Sequence, residues 1–269
     1  MTAEAHMDAL RAIGSGADDA VDIADTALIL AALDRPEAAI EDYRDYLKTL
    51  AEDTARAETG DRADALRRAL FDAHAYAGDA ETYDDPMNAN LMHVIDRRRG
   101  LPVALGILCI HAARAQGWAI TGINFPSHFL LRMGDESDGV FIDPFHGAAV
   151  MSEDDLELRL REMHGPDARM QAGFLRPVGN RDILLRLENN IKLRALHGQD
   201  MERALAVVER MYLLAPAVDG LRMEKALILA ETGQIKAAID ALEELRERGG
   251  GVQGQALASM LQDLKGRLN

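Results

Sequence analysis

Three side chains have the types and spacing to act together: His128 in SHFLLRM (Ser127–Met133), and Asp143 and His146 in FIDPFHG (Phe141–Gly147). A histidine paired with a carboxylate can exchange a proton, hold a ligand, or serve as a structural hydrogen bond. With His146 added, two imidazoles and a carboxylate match a facial metal-ligand set. DPFHG reads more simply as a turn in which the Asp143 side chain caps backbone N–H groups, so no metal site is expected. His128 follows Pro126 closely and is also readable as an ordered polar residue at a core edge. The single cysteine, Cys109, falls within an apolar run, and burial raises a thiol's pKa, so it reads as an inert core residue. Arg97, Arg98 and Arg99 form a basic cluster suited to a helix end. They are candidates for binding an anion or acidic partner, or for pairing with carboxylates of Tyr83–Pro86.

Val103–Ile110 is an unbroken non-polar run after Pro102, and it predicts a helix buried on nearly all sides. Trp118–Asn124, His128–Met133 and Gly139–Asp143 are rich in β-branched and apolar residues, and Gly134–Gly139 reads as a hairpin loop between the last two. A small antiparallel sheet on one helix follows, with His128 and Asp143 on adjacent strands. Ser152 and Asp155 stand at capping-box spacing ahead of a helix to Met163. Upstream, Asp34, Pro36 and Glu37 predict a helix beginning at Pro36. Ala63, Leu66 and Leu70 predict another in Asp61–His74, and Asn88 and Asn90 are expected to cap the helix after them.

Ala204 and Ala238 stand 34 residues apart, as do Pro216 and Gly250, each alanine within a pattern of two helices joined by a short turn. Thirty-four is the tetratricopeptide period, and Gly198 and Gly233 fall at the turns. Leu221, Ile228 and Leu229 are expected to pack against Ile239 and Leu242, and a last helix, Gln255–Leu268, to cover the open end. The chain is therefore expected to be α+β and mostly helical, with N-terminal helices over 1–75, a mixed core over 76–172, and repeats over 173–269. A formal charge of −15 disfavours nucleic acid and anionic membrane surfaces as general partners. No secretory or membrane-spanning run is present, so a cytoplasmic location is expected. One cysteine excludes an intrachain disulfide framework.

Asn88–Leu105, Gly122–Met133 and Phe141–Gly147, followed by the repeats, resemble the bacterial SirB-type family, in which a transglutaminase-like core precedes tetratricopeptide repeats. In thiol enzymes of the wider superfamily a Gly-x-Cys motif opens the central helix, where the dipole favours thiolate. A histidine then moves the proton and an acid fixes its tautomer. By this resemblance Gly100-Leu101-Pro102 occupies the Gly-x-Cys place, His128 the histidine place and Asp143 the acid place. Cys109 lies two helical turns, roughly 10 Å, beyond the vacant position. The resemblance implies a non-catalytic cytoplasmic adaptor or regulator that binds an unknown protein or peptide through its C-terminal repeats, with no cofactor. The alternative is a hydrolase or amide-transfer enzyme using His128 and Asp143.

Overall fold

The computed structural model describes residues 2–57, 60–135, 138–247 and 254–268. Two compact units divide the chain: Met1–His6 with Ala17–Leu187, and Met7–Gly16 with Glu188–Asn269. The helix α1 (Ala3–Ser15) begins in the first and runs into the second.

In the first unit α2 (Ile23–Asp34) is buried along nearly its whole length and is capped by Asp22, whose carboxylate accepts from the amides of Ala24 and Asp25. The next helix, α3 (Ile40–Arg56), is amphipathic, burying Ile40, Leu47, Leu50 and Thr54. It starts four residues later than the sequence suggested. Asp34 closes α2, and Pro36 sits in a turn in which the Ala38 amide donates to the Arg35 carbonyl (3.0 Å). Proline disfavours helical backbone at the residue before it and suits the second position of a turn, so Pro36 separates two helices and opens neither. After Asp61, which caps it, α4 (Arg62–Leu66) widens into a π-helical segment, Arg67–Ala73.

The segment after Tyr76 carries a two-residue strand, β1 (Ala77–Gly78), paired in parallel with β2 (Arg99–Gly100). Between them lie a 3₁₀ turn, Pro86–Ala89, and α5 (Leu91–Arg97). The central helix, α6 (Pro102–Ala115), has Pro102 in its first turn and buries every residue from Pro102 to Ile110. Against it lies an antiparallel sheet of β3 (Ile120–Ile123), β4 (Leu130–Met133), β5 (Val140–Asp143), β6 (Ala149–Met151) and β7 (Pro177–Val178), in the order β6-β5-β4-β3-β7. The β4–β5 pair has Met133 opposite Val140; part of its connecting loop, residues 136 and 137, lies outside the described residues.

Alternation along the strands gives the sheet two apolar faces. Ile123 and Leu130, directly paired, join Phe125 and the Leu156 and Leu160 side chains of α7 (Glu153–His164). Leu131 and Gly122, the next pair inward, face the other side with Phe129, toward Gly106 of α6. A Cβ on Gly106 would stand 2.5 Å from the Phe129 ring, and one on Gly122 2.8 Å from it, so only hydrogen at both positions admits this ring. Ser152 and Asp155 form the expected reciprocal capping box on α7.

The second unit is built from α8 (Asn180–His197) after Leu187, α9 (Met201–Leu214), α10 (Asp219–Glu231), α11 (Ile235–Glu247) and α12 (Gly254–Leu268). Gly198 and Gly233 fall in the turns, and Ala204 and Ala238 are fully buried where helices approach. Gly250 lies outside the described residues. One apolar cluster joins Leu229 to Ile239, Leu242, Leu257 and Leu261, so α12 covers α10 and α11. Ile228, expected to face α11, instead packs with Ala204 and Val208 of α9. Adjacent helical positions diverge by about 100°, so Ile228 and Leu229 serve opposite neighbours, which is how each repeat joins the next. Glu188 and Arg210 form an ion pair buried within this unit. No described helix is long and apolar enough to cross a membrane.

Candidate functional site

The site gathers at the end of the sheet beside α6. Asp143, fully buried, is the last residue of β5, and Pro144 behind it starts a 3₁₀ turn, Pro144–His146. Its Oδ1 accepts the amides of Phe145 (2.9 Å) and His146 (3.3 Å), which is the Asp-capped turn read from the sequence. That leaves Oδ2 pointing at two imidazoles: His128 Nε2 at 2.9 Å and His146 Nδ1 at 2.8 Å. The turn and the three-residue cluster therefore coexist. Burial alone would raise the Asp143 carboxyl, but hydrogen bonds and positive charge from His128 and then His146 outweigh it and hold it below the ordinary range.

His128 is not itself in a strand. It stands two residues before β4, its amide donating to the Phe125 carbonyl (3.0 Å), after Ser127 in left-handed backbone (φ 56°). Two restraints fix it: the Arg186 guanidinium donates to its carbonyl (2.8 Å), and its neighbour Phe129 is seated between the two glycines. The His128 ring meets Phe145 edge-on, and Phe145 lies against Gly78 of β1, where any side chain would collide with its ring and carbonyl. The short parallel pairing of β1 thus supports the turn that carries His146.

Pro102, at the position where the resemblance puts a nucleophile, is buried at the start of α6. Cys109 is buried two turns further on, and burial pushes its thiol up to about 12, far from a thiolate at neutral pH. The hydroxyl nearest His128 in sequence, that of Ser127, is hydrogen-bonded to His164 Nε2 (3.1 Å).

The three arginines have separate surroundings. Arg97 reaches Asp79 (3.4 Å) and Asp85 (3.3 Å), the latter within the expected acidic segment. Arg98, in left-handed backbone, lies over the Tyr46 and Tyr76 rings and donates to both hydroxyls, while Arg99 is exposed in β2. Asp79 accepts from the Thr82 hydroxyl (2.6 Å) and amide (2.9 Å), which with Asn88 and Arg97 hold its carboxyl down at about 2. Asn90 caps α5 as expected, but Asn88 does not: its amide nitrogen donates to the Thr82 carbonyl (2.7 Å), tying down the loop before α5. The sequence reading missed Arg159 of α7, whose guanidinium lies 3.7 Å from Asp143 Oδ2. Nothing in local pattern ties α7 to this turn; only the tertiary fold does.

A central helix opening beside a His-Asp pair on an antiparallel sheet is the arrangement of a transglutaminase-like core, and residues 31–189 match the transglutaminase-like superfamily. That match covers more than half of the chain, which belongs to this superfamily, and residues 191–261 match the tetratricopeptide repeat. Among curated proteins, a UPF0162 protein of Xylella fastidiosa (strain Temecula1) is 28% identical over 236 residues, spanning 84% of this chain and 83% of that protein. A UPF0162 protein of Pseudomonas aeruginosa is 34% identical over 163 residues, spanning 60% and 58% respectively. F-box only protein 21 of Mus musculus is 34% identical over 82 residues, 30% of this chain and 13% of that protein. No solved structure matches.

Proposed function

We propose that this chain is a non-catalytic adaptor or regulatory protein of the cytoplasm, with a degenerate transglutaminase-like cleft and a repeat surface that binds a peptide or helix of another protein. The observation carrying this reading is Pro102. It places a ring without a nucleophilic atom at the helix start where the superfamily's thiol chemistry needs a sulfur, and the chain's one cysteine is buried two turns away. The tetratricopeptide match supports the second half, since such repeats generally mediate protein–protein interaction. The test is affinity purification from native extract, comparing the wild type with Leu242→Asp, which targets the repeats, and His128→Ala, which targets the cleft. A specific partner lost with the first variant and kept with the second supports the reading. A partner that persists with the repeats melted overturns it.

One observation favours an enzyme instead. His128 keeps its carboxylate partner in a buried pair, while its other ring nitrogen, Nδ1, makes no hydrogen bond among the described residues. In this second reading His128 activates water for hydrolysis or assists amide transfer. Turnover of an ester or amide that vanishes in His128→Ala would select it.

A further inference from the structure

We propose that His128, Asp143 and His146 bind a single borderline divalent transition-metal ion of the Zn²⁺ or Fe²⁺ class, through His128 Nε2, Asp143 Oδ2 and His146 Nδ1. One ligand atom from each of the three residues lies within 4.8 Å of the others, and both imidazoles contact Asp143 Oδ2. Two imidazoles and one carboxylate suit borderline ions, whereas Mg²⁺ and Ca²⁺ call for oxygen donors. Three protein ligands leave at least one coordination position for water or a ligand.

The surroundings prepare the set in ways a chance cluster would not. Both backbone amides of the turn engage Oδ1, which orients the carboxylate and leaves Oδ2 for the imidazoles. His128 is fixed by the Arg186 bond to its carbonyl and by the seating of Phe129. His146 has a side chain 47% exposed, which gives the ion a way in. With metal–ligand bonds of about 2.0–2.2 Å, ligand atoms in a tetrahedral site stand about 3.3 Å apart. The two short contacts to Oδ2 must therefore open by about half an ångström. The exposed His146 ring can open its own contact, and a small turn of the His128 ring or of the Asp143 carboxylate must open the other.

On loading, each ring nitrogen facing Oδ2 gives up its proton, to the ring's other nitrogen from a neutral imidazole or to solvent from an imidazolium, and bonds the ion in its place. Arg159 opposes this. Its guanidinium lies 3.5 Å from His146 Nδ1 and 3.7 Å from Asp143 Oδ2, and it must swing outward before a cation can enter. The site thus has a sign that a structural hydrogen-bond cluster lacks: removing Arg159 should tighten binding.

The inference is independent of the adaptor reading, and the experiment separates the two because it needs no partner. Untagged full-length protein, stripped with chelator and dialysed, is titrated with Zn²⁺ by calorimetry and with Co²⁺ by visible absorption. The expected result is about one ion per chain with Co²⁺ ligand-field bands. His146→Ala, whose backbone cap is unchanged, should weaken binding at least about tenfold. Arg159→Met should strengthen it, and His197→Ala, in the repeat unit, should leave it unchanged. Absence of saturable stoichiometric binding overturns the proposal. So does binding in His146→Ala within tenfold of wild type, because that variant keeps the fold and lacks only the ligand.

Discussion

The two units solve the burial of polar groups differently. In the first, buried polar side chains tie distant segments together: Asp143 joins two loops of the sheet, Asn90 reaches the Ala31 carbonyl, and Asn180 reaches the carbonyls of Asp18 and Val21. In the second, apolar clusters link each helix to its sequence neighbours, and two ion pairs with buried members, Glu188–Arg210 and Lys192–Glu224, tie α8 to the next two helices, α9 and α10. A fold closed by long-range contacts should melt as a whole, whereas a stack of neighbours can lose its end. The difference implies that damage stays local in the repeats and spreads in the core.

The strongest challenge to that contrast is Leu242→Asp, which buries an unpaired charge in the last cluster and should cost at least about 5 kcal/mol. Hydrogen exchange should show α10–α12 open while α6 and β3–β5 stay protected; loss of protection in both would break the comparison. Arg210→Met removes one member of a buried ion pair and should cost about 3–5 kcal/mol. Adding Glu188→Leu should recover most of that in denaturant titrations, as expected if the pair confers specificity more than stability.

Gly106→Ala tests the core. It drives a methyl into the Phe129 ring, and overpacking should cost about 1–3 kcal/mol despite the helix-propensity gain. The melting transition of the whole first unit should fall as one.

A smaller effect belongs to Asp79. Its folded carboxyl, at about 2, lies below the unfolded value of roughly 3.9, so its stabilisation is complete above about pH 4 and lost as pH falls toward 2. The loss should be at most about 2.6 kcal/mol, and it should vanish from urea midpoints across that window in Asp79→Asn. Least of all should change on alkylation: Cys109 should label only as the core unfolds, and rapid native labelling would contradict its burial.

Legibility in the sequence followed the same division. The central helix was written in Pro102 and the apolar run behind it, and the repeat turns in Gly198 and Gly233, because local pattern decides both. Strands β6 and β7 were not, since an exposed three-residue edge and a Pro-Val dipeptide carry no alternation to read. Pro36 misled because its signal fits a turn as well as a helix start. At the site, the approach of His128 to Asp143 was legible from the hairpin between their segments, although His128 stands two residues before β4 and not in it. The approach of Arg159 and the support of Gly78 were not, because both depend on which segments the fold brings together.

The seating of Phe129 between Gly106 and Gly122 has an evolutionary consequence. Position 129 holds the histidine beside it, and its ring fits only while both partners lack a side chain. Among divergent relatives these three positions should drift as a set, with alanine at 106 or 122 accompanied by a smaller residue at 129. His146, on an exposed turn, is free to be lost alone. A lineage could therefore abandon the cluster in one step and keep the scaffold that positioned it.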